Sequence, residues 1–267
     1  MRRTSIVVFM VVATILISWL MMPDSMLNAE EKLKYCCSAQ VFEAFETERL
    51  DAFTKATGIK VDLYIASSAI CVNRLMNSFC DIASTARRLH YSHKEMGYVE
   101  TPCCRDPLAV ITNAKSNIST LSKKQLREIF GGDITNWNQL MGPDQPIILV
   151  IPGKDTGAYK NFRRFAMRHK DIRYDFMTYK STMVMKAVEC FPGAISFITK
   201  GAVLKHKAIK VIKIDGISPS HKDYPLSQVF SFITKGKPVG PAKAFINFVM
   251  SSKGKEIIKR RGMFPVQ

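Results

Sequence analysis

Acidic residues are scarce in this chain: 22 Asp and Glu stand against 39 Lys and Arg in 267 residues, a formal charge of +17. Fourteen Gly and 12 Pro are too few for a collagen-like or low-complexity chain. After Met22 there is no second long apolar run, so no membrane span is expected further on. Motifs for chemistry are missing as well. No cysteine pair has C-x-x-C spacing and no His stands near the cysteines, so zinc-ribbon and haem readings lack their pattern. No G-x-S-x-G marks a nucleophile. Gly153-Lys154-Asp155-Thr156-Gly157 does not have the order of a nucleotide-cradling loop, which excludes an ATPase. The five His (His90, His93, His169, His206, His221) are scattered beside Lys, Arg or Ser, as on solvated faces. None of these motifs therefore marks an enzyme, a metal site or a cofactor.

What is present is an ordinary globular composition, 47% hydrophobic and 10% aromatic, on a strongly basic chain. Excess positive charge raises the local concentration of anions, whether nucleic acid, anionic lipid or a small oxyanion. The first residues narrow this choice. Arg2 and Arg3 precede an apolar run of 17 residues, Ile6 to Met22, closed by Pro23 and followed by Ala29. A basic start, an apolar stretch and a small residue make an export signal. Residues 1–29 are read as a signal peptide, cleaved after Ala29, or as an N-terminal anchor; cleavage is favoured. Either way the rest of the chain is exported, to the periplasm. Cleavage removes two Arg and one Asp, leaving +16. A basic domain outside the cytoplasm is not a nucleic-acid binder.

Along the remaining chain, strand and helix patterns alternate. Phe42, Phe45, Leu50 and Phe53 fall at helical spacing, and Gly58 supplies a helix end. Ile59, Val61, Leu63 and Ile65 then alternate with Lys60, Asp62 and Tyr64, a strand. Ser122 and Gln125 form a capping box, with Leu121 against Leu126 as its hydrophobic staple, and that helix should stop at Gly131-Gly132. Ile147 to Ile151 is a continuous apolar strand of the kind buried on both faces. Such alternation predicts an α/β fold with mainly parallel sheets.

Four junctions into helices carry small or hydroxyl residues: Ser38-Ala39, Ser67-Ser68, Thr156-Gly157-Ala158 and Ser181-Thr182. Free N–H groups in a helix's first turn, with the positive end of its dipole, favour an anion. In open α/β sheets such junctions gather at the carboxyl ends of strands, where ligands bind. Taken singly, each Ser or Thr is an ordinary N-cap.

At this point several segments resemble one family, the periplasmic phosphate-binding proteins of ABC transporters. Leu121 to Leu140 (LSKKQLREIFGGDITNWNQL) is similar to the family's helix-turn segment ending in a buried Trp, here Trp137. Asp81-Ile82-Ala83-Ser84-Thr85-Ala86-Arg87-Arg88-Leu89 resembles its D-I-A-x-x-S-R-x-L stretch, and Pro192-Gly193-Ala194-Ile195-Ser196-Phe197 its P-G-A-I-G-Y element. Ala244-Phe245 through Pro265-Val266 is similar to its closing helices. The resemblance implies a two-lobed fold with two crossover strands, placed near Asp106–Thr112 and Gln228–Phe232, closing by hinge motion. Lobe 1 is expected over 30–108 and 228–267, lobe 2 over 109–227. The implied role is capture of inorganic phosphate or another small oxyanion by a monomer, for delivery to an ABC transporter permease.

The implied ligand set is Ser38, Gln40, Ser67, Ser68 and Arg87 from the first lobe, with Lys154, Asp155, Thr156, Gly157 and Ala158 from the second. Here the chain departs from the family. Pro152 stands where an Arg is expected, Ala158 where a Thr is, and Ala86 where a Ser or an acceptor Asp is. Lys154 is the replacement cation, though a point charge lacks the guanidinium fork. Seven cysteines are the other oddity: Cys36-Cys37, Cys71, Cys80, Cys103-Cys104 and Cys190. In an exported chain they read first as disulfides or buried core thiols. The rival reading is a sensor or scaffold of the same fold with altered ligand specificity, using cleft cysteines for a metal or thiol-reactive ligand.

Overall fold

A computed structural model describes residues 31–203 and 207–266; the expected leader, residues 1–29, and His206 lie outside them. β1 (Lys32–Ser38) starts the first lobe. The helix expected from Phe42 begins earlier, with Ala39–Val41, widens into a π-helical Phe42–Glu46 and continues as Thr47–Thr57; this whole stretch is α1. Gly58 closes it at φ 74, a left-handed conformation that costs an ordinary L-residue about 1–2 kcal/mol. β2 (Lys60–Ala66), α2 (Ser68–Met76) and β3 (Ile82–Thr85) follow, and β2-β1-β3 form a parallel ladder. A short α3 (Tyr91–Glu95) leads into β4 (Tyr98–Asn113).

β4 carries the architecture. Its first ten residues, 98–107, pair antiparallel with β11 (Ser227–Lys235), and residues 108–112 pair antiparallel with β8 (Ala194–Thr199). One strand of 16 residues thus belongs to the sheets of both lobes. Beyond it, β5 (Thr120–Leu121) leads to α4 (Lys123–Gly131), and β6 (Ile148–Pro152), α5 (Gly157–Phe165), β7 (Phe176–Thr178) and α6 (Ser181–Cys190) build the second lobe. β6 is parallel to both β7 and β8. β9 (Ile209–Val211) adds to β4, and β10 (Lys213–Ile214) pairs with β5. The sheet is therefore mixed: parallel on both flanks, as expected, and antiparallel along β4 and β11, where the chain passes between lobes. α7 (Gly240–Met250), α8 (Ser252–Arg260) and β12 (Phe264–Pro265) return the C-terminus to the first lobe, where β12 pairs with β4.

Each lobe has its own apolar core. Leu33, Tyr35, Phe53, Phe230, Phe232 and Phe245 fill the first; Leu126, Phe130, Trp137, Phe162 and Phe197 fill the second. The capping box at Ser122 is formed in both directions, Gln125 N to Ser122 Oγ at 3.1 Å and Ser122 N to Gln125 Oε1 at 2.8 Å. Leu121 and Leu126 are both buried beside it, and Gly132 ends α4 at φ 87. Trp137 is fully buried and donates its indole N–H to Gly193 O at 3.0 Å, tying two of the family-like segments together. The first core also holds a buried ion pair that the sequence pattern did not suggest: Arg49 bonds Glu46, whose Oε1 also accepts from Tyr35 Oη at 2.6 Å. Both carboxylate oxygens find donors and the guanidinium lies 4.0 Å from the centre of the Phe45 ring, while Arg49 Nη1 has no hydrogen-bond partner. Of the basic C-terminal run, Arg260 and Arg261 bond Glu48 and so fasten α8 to α1.

Cys36 and Cys71 form a disulfide that joins β1 to α2. Cys37, Cys80, Cys103 and Cys104 are buried free thiols and Cys190 is an exposed one. Among the described residues no group of three His, Cys, Asp or Glu side chains is placed to hold a metal ion, and no described helix is long and apolar enough to cross a membrane.

Candidate functional site

The four helix junctions singled out above lie at the carboxyl ends of β1, β2, β6 and β7, and all four meet between the lobes. They wall a cavity of about 230 Å³. From the first lobe come Ser38, Gln40, Glu43, Ser67 and Ser68. From the second come Pro152, Asp155, Thr156, Gly157, Ala158, Tyr179 and Ser181. Eight of the ten expected ligand residues are therefore brought together.

Their roles separate once hydrogen bonds are counted. Ser67 Oγ accepts from Ile70 N at 3.4 Å, capping α2. Thr156 Oγ1 accepts from Tyr159 N at 3.2 Å and gives its proton to Gly153 O at 2.7 Å. These two hydroxyls are caps, as single junctions usually are. By holding the turns they leave the first-turn N–H groups of Gly157 and Ala158, which have no intrahelical acceptor, at the cavity wall. Ser38 Oγ and Ser68 Oγ lie 3.0 Å apart, and Ser68 Oγ also accepts from Ala86 N at 3.2 Å. Whichever hydroxyl donates within the pair, the other retains a proton for a guest.

Gln40 is the most informative side chain. It is 7% exposed, and neither its Oε1 nor its Nε2 has a hydrogen-bond partner. A buried amide left unpaired costs about 1–3 kcal/mol, a deficit that a polar guest in the cavity removes. Gln40 also meets the opposite lobe: a Cβ added to Gly157 would fall 2.2 Å from Gln40 Oε1 and 3.0 Å from Ala86 Cβ. Any larger residue at 157 would displace the Gln40 amide and press on Ala86.

Two polar links span the lobes around the cavity. Glu43 accepts from the backbone N–H of Ser181 at 3.2 Å and from its hydroxyl, so a first-lobe carboxylate sits on the N-terminus of α6. Asn161 Nδ2, on α5, donates to Ala86 O at 2.7 Å and to Gln228 Oε1 at 2.6 Å. Gln228 Nε2 then donates to Asp106 Oδ2 at 2.7 Å, and Thr199 Oγ1 and Gly201 N donate to the same carboxylate at 2.6 and 3.3 Å. Asp106 and Gln228 face each other across β4 and β11. A buried chain of hydrogen bonds thus runs from the strands that join the lobes to the cavity wall. Desolvation pushes the Asp106 carboxyl up to about 6, against the opposing effect of its three donors and of Lys200.

Arg87 and Lys154, both expected at the ligand, do not line this cavity. Ala86 is buried, but the strand ends at Thr85 and the chain bends there, with Thr85 Oγ1 accepting from Arg87 N at 3.0 Å; Arg87 is exposed and lines a neighbouring pocket. Lys154 sits at the outer tip of its turn, its Nζ 4.8 Å from the centre of the Tyr174 ring. Among the described residues the lining holds no Lys, Arg or His, while Glu43 and Asp155 contribute carboxylates. Several site groups escaped the sequence reading. Ser181 was legible as a junction, but Glu43, Tyr179, Asn161, Gln228 and Asp106 carry no local signature.

Residues 30–253 match the family described as the PBP superfamily domain. The chain is 30% identical over 165 residues to the phosphate-binding protein PstS of Bacillus subtilis, a match that covers 60% of this chain and 55% of that relative. It is 25% identical over 224 residues to the phosphate-binding protein PstS of Borreliella burgdorferi, covering 78% and 80% of the two chains. Among solved structures, an ABC-type phosphate transport receptor from Vibrio cholerae superposes with a TM-score of 0.71 at 24% identity, over 87% of this chain and 99% of that one. That last likeness establishes the fold.

Proposed function

The chain belongs to the PBP superfamily, and from that membership we propose that it is a solute-binding protein that captures an oxyanion, inorganic phosphate first, for an ABC transporter. The observation that carries the reading is the cavity between the lobes, walled by hydroxyls and helix starts around the unpartnered Gln40 amide. The anion docks against the Ser38–Ser68 hydroxyl pair and Gln40 Nε2. Closure brings the first-turn N–H groups of Gly157 and Ala158 onto its other side. Each of these is a charge-assisted hydrogen bond in a space from which water is shed, where such bonds are strongest. Helix dipoles and the overall charge of +17 take the place of a cationic side chain in the lining.

The relatives named above, phosphate-binding proteins by name, support this ligand and a binding role rather than a catalytic one. Export by the leader, delivery to a permease, the monomeric state and the lobe limits 30–108 with 228–267 and 109–227 belong to the same proposal. Isothermal titration with phosphate, arsenate and sulfate tests it. Phosphate is expected to give saturable heat, and Gln40→Ala to weaken it at least tenfold, since one lost bond to a charged partner is worth about 1.5–3 kcal/mol. Absence of heat with all three anions refutes it. The pair of carboxylates in a lining without cations favours a second reading, a sensor or scaffold of the same fold with altered ligand specificity. Heat with a hydroxylated neutral solute and none with phosphate would establish that reading instead.

A further inference from the structure

On the outer side of the Ser68 turn lies a second pocket, of about 140 Å³. Arg87, Arg88, His90, His93, Asn73 and Thr85 line it, with Ser68 as the wall it shares with the interlobe cavity. It differs from that cavity in charge. Two guanidinium-bearing and two imidazole-bearing residues share its lining with no Asp or Glu. Neither Arg87 nor Arg88 forms an ion pair with a described residue. The two rings stand 6.1 Å apart at 75°. His90 Nδ1 lies 2.8 Å from Ser92 Oγ and accepts from Ser92 N at 3.4 Å. His93 Nδ1 is buried without any partner. The opening of α2 adds first-turn N–H groups at Ser68 and Ala69, both in the lining.

Surface arginines are common on a chain this basic and by themselves mean a solvated face. Three features set this pocket apart: it is concave, carboxylates are missing from its lining, and a buried imidazole nitrogen lacks a partner. Like charges gathered in a concavity repel one another, and an anion between them relieves that repulsion while accepting from the donors of the lining. Guanidinium forks match the oxygen geometry of a tetrahedral oxyanion. The volume sets the upper size, since it is below the roughly 300 Å³ where sites for drug-sized ligands begin. An inorganic oxyanion or a single terminal phosphoryl group fits; a whole nucleotide does not.

We propose that this pocket is a second oxyanion site at the rim of the first lobe, separate from the interlobe cavity and taking phosphate or a terminal phosphoryl group. It goes beyond the function proposed above and does not require it. Equilibrium dialysis of the purified protein against labelled inorganic phosphate at low ionic strength counts the sites. The wild type should bind two phosphates per chain. Arg88→Ala/His93→Ala should bind one, its rim affinity falling at least tenfold, and Gln40→Ala should retain the rim phosphate. Equal binding by the wild type and the double variant overturns the rim site. A single phosphate that Gln40→Ala removes and the double variant keeps does the same while sustaining the interlobe reading. A single phosphate with the opposite response sustains the rim site and overturns the interlobe reading, and no binding at all overturns both. Should the double variant fail to fold by circular dichroism, Arg88→Gln/His93→Gln replaces it with the same expected count.

Discussion

The buried carboxylate of Asp106 makes a quantitative prediction about pH. Asp106 is wholly buried where the two strands joining the lobes run side by side, and burial raises its carboxyl from an ordinary 3.8 to about 6. A raised acid holds its proton more tightly in the folded chain than in the unfolded one. Between about pH 4 and pH 6 the native state therefore binds more protons, and stability falls as pH rises through that window. The loss is complete about one unit above the folded value, near pH 7, and the contribution is flat beyond it. Each pH unit is worth about 1.4 kcal/mol, so the change from 3.8 to about 6 amounts to about 3 kcal/mol at neutral pH. Urea unfolding of the wild type and of Asp106→Asn at several pH values between about 4 and 8 measures it. The variant loses some stability at every pH, because an amide cannot accept from Thr199, Gln228 and Gly201 together. The readout is the slope: the wild-type curve should decline by about 2 kcal/mol relative to the variant between pH 4 and 6, the part of the change that falls inside that window. Parallel curves would refute the argument that desolvation dominates over the three donors.

Three other perturbations follow from the same geometry. Gly157→Ala puts a methyl group 2.2 Å from Gln40 Oε1 and 3.0 Å from Ala86 Cβ, so phosphate affinity should fall at least tenfold by titration calorimetry. Its melting temperature should stay nearly unchanged, because each lobe keeps its own core; a folded variant with full affinity would contradict the closure described here. Asn161→Ala removes both bonds that run from α5 to Ala86 and Gln228, about 2 kcal/mol in all, and should speed ligand release about thirtyfold in stopped-flow. An unchanged release rate would show that Asn161 does not hold the lobes together. Reduction of Cys36–Cys71 opens a bridge between residues 35 apart, worth about 4 kcal/mol by chain entropy, and should lower the melting temperature by roughly 10 °C. Identical melts with and without reductant would show that the bridge does not constrain the unfolded chain.

Much of the fold was legible because its signals are local. Ser122, Gln125 and Gly132 start and stop α4 through bonds within one or two turns, so spacing alone identifies them. β2 showed itself by alternation, and β6 by a continuous apolar run. Trp137 was readable as core from its segment. The mixed sheet was less so, because nothing within β4 marks where its partner changes from β11 to β8. The π-helical turn within α1 left no local mark either, although the Ser38-Ala39 junction placed the start of the helix.

For the site, sequence alone determined which backbone turns could offer N–H groups to an anion, since Ser38, Ser67, Ser68 and Thr156 announce helix starts through side chains adjacent in the chain. It also determined the sign of the long-range field, which is a sum over composition. Tertiary structure decided which charges face the guest. Arg87 and Lys154 looked like ligands by position, yet one is exposed and lines a neighbouring pocket and the other sits at the tip of an outer turn. Glu43, Asn161, Gln228 and Asp106 gained their roles only when segments tens of residues apart were brought within about 3 Å. A hydrogen bond depends on atoms meeting at bonding distance and angle, and between distant segments only folding supplies that meeting.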